Sequence, residues 1–223
     1  ELGYTYFDKD DKWGISELAC DYIDIGEKEI DFKIPGTLGI IQAYSIWKNS
    51  KNDRHYPFLN IEEYLVEKNL HSQLNILQIT YNQLSENIIS KIKNDSTIVL
   101  LLDTFNEHGM AEQRQMFIKL INSRCTVPVI IRRSYANLTP EDLQVHSSTD
   151  IGALFVDGLG DGVYITAEQS GNLMSVNNTA FGILQASRRR ITKTEYISCP
   201  SCGRTLFDLQ ETTARIRSRT EHL

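Results

Sequence analysis

Between Gly14 and Ala167 the chain alternates short, unbroken Val/Ile/Leu runs with longer amphipathic stretches, and this alternation limits the available folds more than any other feature. A run that is apolar at consecutive positions has no polar face to give to water. As a strand it must be covered on both sides, which is the situation of a parallel sheet flanked by helices. Leu74 to Ile79, Thr97 to Asp103 and Val127 to Ile131 are such runs. Helices are expected between them, from about Asn82 to Lys93 and from about Glu107 to Ser123. A further helix should begin at Thr139-Pro140-Glu141-Asp142, with Thr as cap and Pro in the first turn, followed by strands at Ala153 to Asp157 and Gly162 to Thr166. In the less regular N-terminal part, Asp21 to Ile25 and Gly39 to Tyr44 are expected strands. This count suits a barrel or a doubly wound sheet, so the fold class is α/β and barrel-like, built from β/α units.

A helix from about Met174 to Ala186 leads into Arg188-Arg189-Arg190, and there the character changes. Ile191 to Ser198 is polar and β-prone, Thr205 to Arg219 reads as a helix, and the piece after Arg188 is too small to build its own core. The expected division is residues 1–187 as one barrel-like domain and residues 188–223 as a linker with the start of a second. The chain opens at Glu1 without Met and closes on a predicted helix without a stop signal, so it is expected to be a piece of a longer polypeptide.

A formal net charge of −6 argues against general nucleic-acid binding, and no apolar stretch approaches the ~20 residues that span a bilayer. The N-terminus lacks the basic and apolar regions of a signal peptide, and four irregularly spaced cysteines do not form a secreted disulfide framework. A reducing, cytoplasmic setting is expected.

The chemistry-bearing feature is Cys199-Pro200-Ser201-Cys202-Gly203. Two thiolates three positions apart can share one metal or one cluster iron, with Pro and Gly shaping the turn; dithiol redox chemistry and inert thiols are the alternatives. A full site needs two more ligands, and Cys20 and Cys125 stand isolated in core-like segments. Arg188-Arg189-Arg190 with Lys193 offers bidentate forks for a diphosphate or a nucleic-acid backbone, or is simply a solvated basic turn. The loop Asp157-Gly158-Leu159-Gly160-Asp161-Gly162 reads first as a tight turn between two strands and second as a ligand loop at strand ends. Asp103, Glu107 and His108 follow a strand and are expected to cap or face solvent, and the remaining histidines show no metal spacing.

The run from Thr192 to Glu211, centred on Cys199 and Cys202, closely resembles the cluster-binding segment of the 4-hydroxy-3-methylbut-2-enyl diphosphate synthase family. Upstream, Glu141 to His146 and Gly152 to Gly162 are similar to the end of the extra middle domain in the large, plant-like form of that family. The resemblance implies a [4Fe–4S] cluster held by three cysteines and one glutamate, with Cys199 and Cys202 as the first two ligands and the others beyond Leu223. It implies reductive opening of a cyclic diphosphate, with electrons from ferredoxin or flavodoxin, and it implies that Arg188 and Arg190 bind the substrate diphosphate. Asp157 and Asp161 resemble an element that closes the family's first barrel, which suggests a duplicated barrel serving as a spacer. On this reading residues 1–187 are the inserted middle domain, residues 188–223 begin the iron–sulfur domain, and the piece alone is inactive. Two other readings stand beside it. One is a non-catalytic zinc-binding or scaffold module in which two chains share a metal through this turn. The other is a barrel enzyme with its own polar pocket at the strand ends near Asp103 and Asp157.

Overall fold

The structure is a computed structural model that describes residues 2–50, 52–168, 172–197, 203–204 and 206–220. The chain divides into two compact units, Glu1–Arg190 and Ile191–Leu223.

The first unit opens with an antiparallel hairpin, β1 (Tyr4–Phe7) and β2 (Lys12–Ile15). A seven-stranded sheet follows: β3 (Tyr22–Gly26), β4 (Gly39–Ala43), β5 (His55–Leu59), β6 (Asn75–Ile79), β7 (Ile98–Leu102), β8 (Val129–Ala136) and β9 (Gly162–Glu168). The strands lie side by side in sequence order and every neighbouring pair is parallel. Helices return the chain between strands: α1 (Tyr44–Ser50), α2 (Ile61–Val66), α3 (Glu86–Ile92), α4 (Gly109–Asn122), α5 (Pro140–Ser147) and α6 (Ala153–Val156), with α7 (Leu173–Ala186) after the last strand.

The apolar runs explain this arrangement. Leu59, Leu77, Ile79, Leu100, Leu102 and Ile131 are fully covered on the outer face by the helices, where α4 inserts Met116, Phe117 and Leu120 at helical spacing. On the inner face Ile41, Ile76 and Leu101 pack with Phe58, Val99, Ile130 and Tyr164. Polar caps start the helices: Asn60 and Glu63 form a reciprocal capping box on α2, while Ser85, Thr139 and Asn172 cap α3, α5 and α7. The sheet is curled. The Tyr164 hydroxyl of the last strand donates to Asp24 of the first at 2.7 Å, and α7, packed on β9, donates from Asn177 to the carbonyl of Leu18 just ahead of β3. An open barrel results, with α7 at the seam.

Ala153 to Val156, expected as a strand, is helix α6, continuous with α5 through a π turn at Ser148–Gly152. The buried residues Leu143, Ser147, Ile151, Leu154 and Phe155 recur at helical spacing, which a short apolar run cannot distinguish from a buried strand by itself. The Asp157–Gly162 loop therefore joins a helix to a strand. Strand β5 escaped the sequence reading because Pro57 lies inside it, and proline usually marks an edge.

In the second unit α8 (Leu209–Thr220) starts later than Thr205 because Asp208 accepts the amide of Glu211 at 2.9 Å. The Tyr196 hydroxyl lies 2.7 Å from Thr220 Oγ1. Residues 191–197 form no strand, since a lone extended segment has no ladder to join. Among the described residues no helix is long and apolar enough to cross a membrane.

Candidate functional site

The two ends of the curled sheet have different chemistry, and the difference follows from the last and first inward residues of each strand. At the C-terminal end, where β/α barrels usually carry their active sites, the inward positions after the apolar layer are polar. Gln78 donates to Asp103 at 2.6 Å, Arg132 pairs with the same carboxylate at 3.2 Å, and the Arg132 guanidinium stacks 5.3 Å from the centre of the Tyr164 ring. Tyr164 then reaches Asp24, whose other oxygen accepts the amide of Gly26 at 2.8 Å. Burial first, then the charge and hydrogen bond of Asp24, pushes the Tyr164 phenol well above its ordinary range, so it stays a proton donor. Asp103 is 1% exposed. This layer fills the C-terminal mouth with an ion pair and hydrogen bonds among its own members, leaving Arg132 Nε buried without a partner among the described residues.

Asp103 is thus a buried ion-pair member rather than a cap or a solvated loop residue. Glu107 and His108 are exposed in the following loop, where His108 precedes α4 without a side-chain capping bond. Asp157 lies at the opposite end of the sheet and pairs with Arg114 of α4 at 2.5 Å. Asp161 is tied to β8, accepting the amide of Val129 at 2.9 Å. The structure does not bring Asp103 and Asp157 together, and the reading of a polar catalytic pocket formed by them is overturned. Sequence reasoning missed Gln78, Arg132 and Tyr164; the signal was a polar side chain two positions after an inward apolar or glycine position, as in Ile76/Gln78, Ile130/Arg132 and Gly162/Tyr164.

At the N-terminal end the barrel is open. A cavity of about 440 Å³ runs between the inner apolar layer and α7, walled by Phe58, Leu101, Ile130, Phe181 and Leu184 and rimmed by Asp21, Asp161, Arg189 and Arg190. The arginine run stands at this rim because α7 stops there. Arg188 takes a left-handed backbone (φ 61°), and the amides of Arg189 and Arg190 fold back on the carbonyl of Leu184 at 2.8 and 3.2 Å. Arg189 donates to the carbonyl of Phe155 at 3.3 Å. Arg190 pairs with Asp21 at 2.6 Å and lies 5.0 Å from the centre of the Phe181 ring.

Cys199 and Cys202 lie outside the described residues. Among the described residues no three His, Cys, Asp or Glu side chains gather as a metal site. Cys20 and Cys125 are free thiols; Cys125 is buried in the outer core, and burial together with the nearby charge of Asp21 pushes the Cys20 thiol up. Neither is prepared as a thiolate ligand.

No family model matches the chain. It is 40% identical over 203 residues, 91% of its length, to "4-hydroxy-3-methylbut-2-en-1-yl diphosphate synthase (flavodoxin)" of Parabacteroides distasonis, of which it spans 33%. The same-named protein of Porphyromonas gingivalis is 45% identical over 145 residues, 65% of this chain and 25% of the relative. The chloroplastic, ferredoxin-named synthase of Arabidopsis thaliana is 43% identical over 137 residues, 59% of this chain and 18% of the relative. A match of 203 residues in a chain of 223 necessarily includes everything from Arg188 to Cys202. The chain is a homologue of the 4-hydroxy-3-methylbut-2-en-1-yl diphosphate synthases and spans about one third of their length.

Proposed function

We propose that this chain is the inserted middle domain and the beginning of the iron–sulfur domain of a large-form synthase. That enzyme reductively opens 2-C-methyl-D-erythritol 2,4-cyclodiphosphate in the cytoplasm, with ferredoxin or flavodoxin as electron donor. The observation that carries this reading is the extent of the match to the Parabacteroides protein, 203 residues or 91% of this chain.

In this reading Cys199 and Cys202 are two of four ligands to a [4Fe–4S] cluster, and the other two come from residues this chain does not contain. When bound, the cluster supplies electrons to the breaking C–O bond and Lewis acidity at the substrate oxygen. Arg188 and Arg190 bind the substrate diphosphate. The Arg190–Asp21 pair supports this role, because its side chains keep 38% and 64% exposure. Exposed pairs are weak, and a diphosphate offers a guanidinium more acceptor oxygens than one carboxylate. The barrel itself, filled at its C-terminal mouth by Gln78, Asp103, Arg132 and Tyr164, acts as a spacer and carries no catalytic residue for this reaction.

Two experiments test the reading. Anaerobic reconstitution of this chain with iron and sulfide should give no stable absorbance near ~410 nm, since two thiolates cannot hold the cluster alone. A stoichiometric cluster would overturn the half-site assignment, and one zinc per two chains would favour the shared zinc module instead. Substituted for the matching segment of the Parabacteroides synthase, the chain should support flavodoxin-driven turnover, and Cys199→Ser should abolish it. A folded chimera that turns over equally well with Cys199→Ser would sink the assignment.

A further inference from the structure

The interior of a β/α barrel is ordinarily filled by its own side chains, layer on layer. Here the layer nearest the N-terminal end is incomplete. Gly162 begins β9 where a larger residue would project, and α7 covers the seam beside it with Ala180 and Asn177 facing the space. The remaining cavity, about 440 Å³, is within the size range of small-molecule sites, and its walls are apolar while its polar groups converge on one rim.

The chemistry of that rim is asymmetric once internal bonds are counted. Its carboxylates are already engaged: Asp161 by the amide of Val129, Asp21 by Arg190, and the deeper Asp24 by Tyr164 and the amide of Gly26. A guanidinium carries five N–H donors, and the bonds to the Phe155 carbonyl and to Asp21 leave further donors on both Arg189 and Arg190. The rim therefore keeps guanidinium donors to give, beside the carboxylates of Asp21 and Asp161, each of which is tied through one oxygen.

We propose that the barrel interior is a binding site for a small amphiphilic anion, its apolar body in the cavity and a carboxylate or phosphate-type head at Arg189 and Arg190. The proposal shares Arg190 with the diphosphate role given above, but its test needs neither the cluster nor an electron donor, so its failure is distinguishable from that of the synthase reading. Direct calorimetric titration of the chain tests it, with decanoate, decyl phosphate and decanol as ligands. Decanoate or decyl phosphate should bind saturably, one per chain, and the tighter of the two identifies the head group. The double variant Arg189→Gln/Arg190→Gln should weaken the anions about tenfold or more while leaving decanol unchanged, as expected for lost charge-assisted hydrogen bonds. Ala180→Trp should fill the cavity and remove binding of all three. Cys20 lines the same cavity, so a saturating anion should slow its alkylation, read on the Cys20 peptide by mass spectrometry; this arm stands even if Ala180→Trp does not fold. The absence of saturable binding, decanol binding as tightly as both anions, or an unchanged Cys20 rate would each overturn the proposal.

Discussion

Asp150 offers a sharp test of how the barrel is held to its helices. It lies in the π turn between α5 and α6, and one oxygen of its carboxylate accepts from Arg133 Nε at 3.1 Å, Arg133 Nη2 at 3.0 Å and the Tyr135 hydroxyl at 2.9 Å. Arg133 is on the outer face of β8, its side chain 9% exposed, and Asp150 keeps 23%. Removing one partner of a buried pair strands the other charge and costs ~3–5 kcal/mol. Because Asp150 retains some access to water, Asp150→Ala should sit at the low end, about 3 kcal/mol, or a melting shift of roughly 6–12 °C for a domain of this size. Arg133→Met alone should cost less, about 2 kcal/mol, since the remaining carboxylate can hydrate. The double variant should cost about 3 kcal/mol rather than the sum, a coupling of about 2 kcal/mol. Urea unfolding followed by near-UV circular dichroism measures all three. As a second signature, the Tyr135 phenol, raised first by burial and then by Asp150, should titrate lower in Asp150→Ala while remaining above an ordinary tyrosine. A cost for Asp150→Ala below about 1 kcal/mol, or additivity within about 0.5 kcal/mol, would refute the reasoning.

Three further outcomes are expected. Tyr164→Phe deletes the hydroxyl that joins the first and last strands and should cost about 1–2 kcal/mol, with faster amide exchange in β3 and β9 and little change in β6 and β7. Arg190→Gln removes an exposed pair and should cost under about 1 kcal/mol, so any larger loss of anion binding is a functional effect rather than a folding one. His55 and His71 are both held below the ordinary value of 6.5, His55 by burial and then the charge of Arg54, His71 by burial. The unfolded chain therefore takes up these protons first as pH falls, so stability is full above pH 6.5 and declines below it. The urea midpoint measured from pH 8 to pH 5 should drop, and the drop should shrink in His55→Gln; a flat profile would show that neither imidazole is kept neutral by the fold.

How much of this was readable from residues alone depends on the range of the deciding interaction. The runs around Leu74, Thr97 and Val127 announced β6, β7 and β8, and Thr139-Pro140 announced α5, because burial on both faces and helix capping are local consequences of composition. Ala153–Val156 was misassigned because four apolar residues fit a buried strand as well as a buried helix; the choice was made by Leu143 and Ser147 a turn or two earlier. The pairing of Arg190 with Asp21 joins residues 169 positions apart, and Tyr164 with Asp24 joins residues 140 apart. Such contacts exist only once the sheet curls, and nothing near either partner encodes them.

The direction of the barrel gives those distant contacts their meaning. In a parallel barrel the C-terminal mouth is where loops and strand-end side chains normally meet a substrate. Here that mouth is occupied by Gln78, Asp103, Arg132 and Tyr164, which pair with one another except that Arg132 Nε is buried without a partner among the described residues. The unfilled space is at the other end, where α7 delivers the arginine run. A barrel that had kept an active site at its usual place would show the reverse arrangement. The Asp157–Gly162 loop, similar in sequence to an element that closes the family's substrate barrel, is consistent with this: Asp161 is bonded to Val129 and Asp157 to Arg114, so the loop holds β9 against β8 and anchors α6 to α4. The loop residues are thus structural ties, and the arginines at the end of α7 keep donors beside the open cavity.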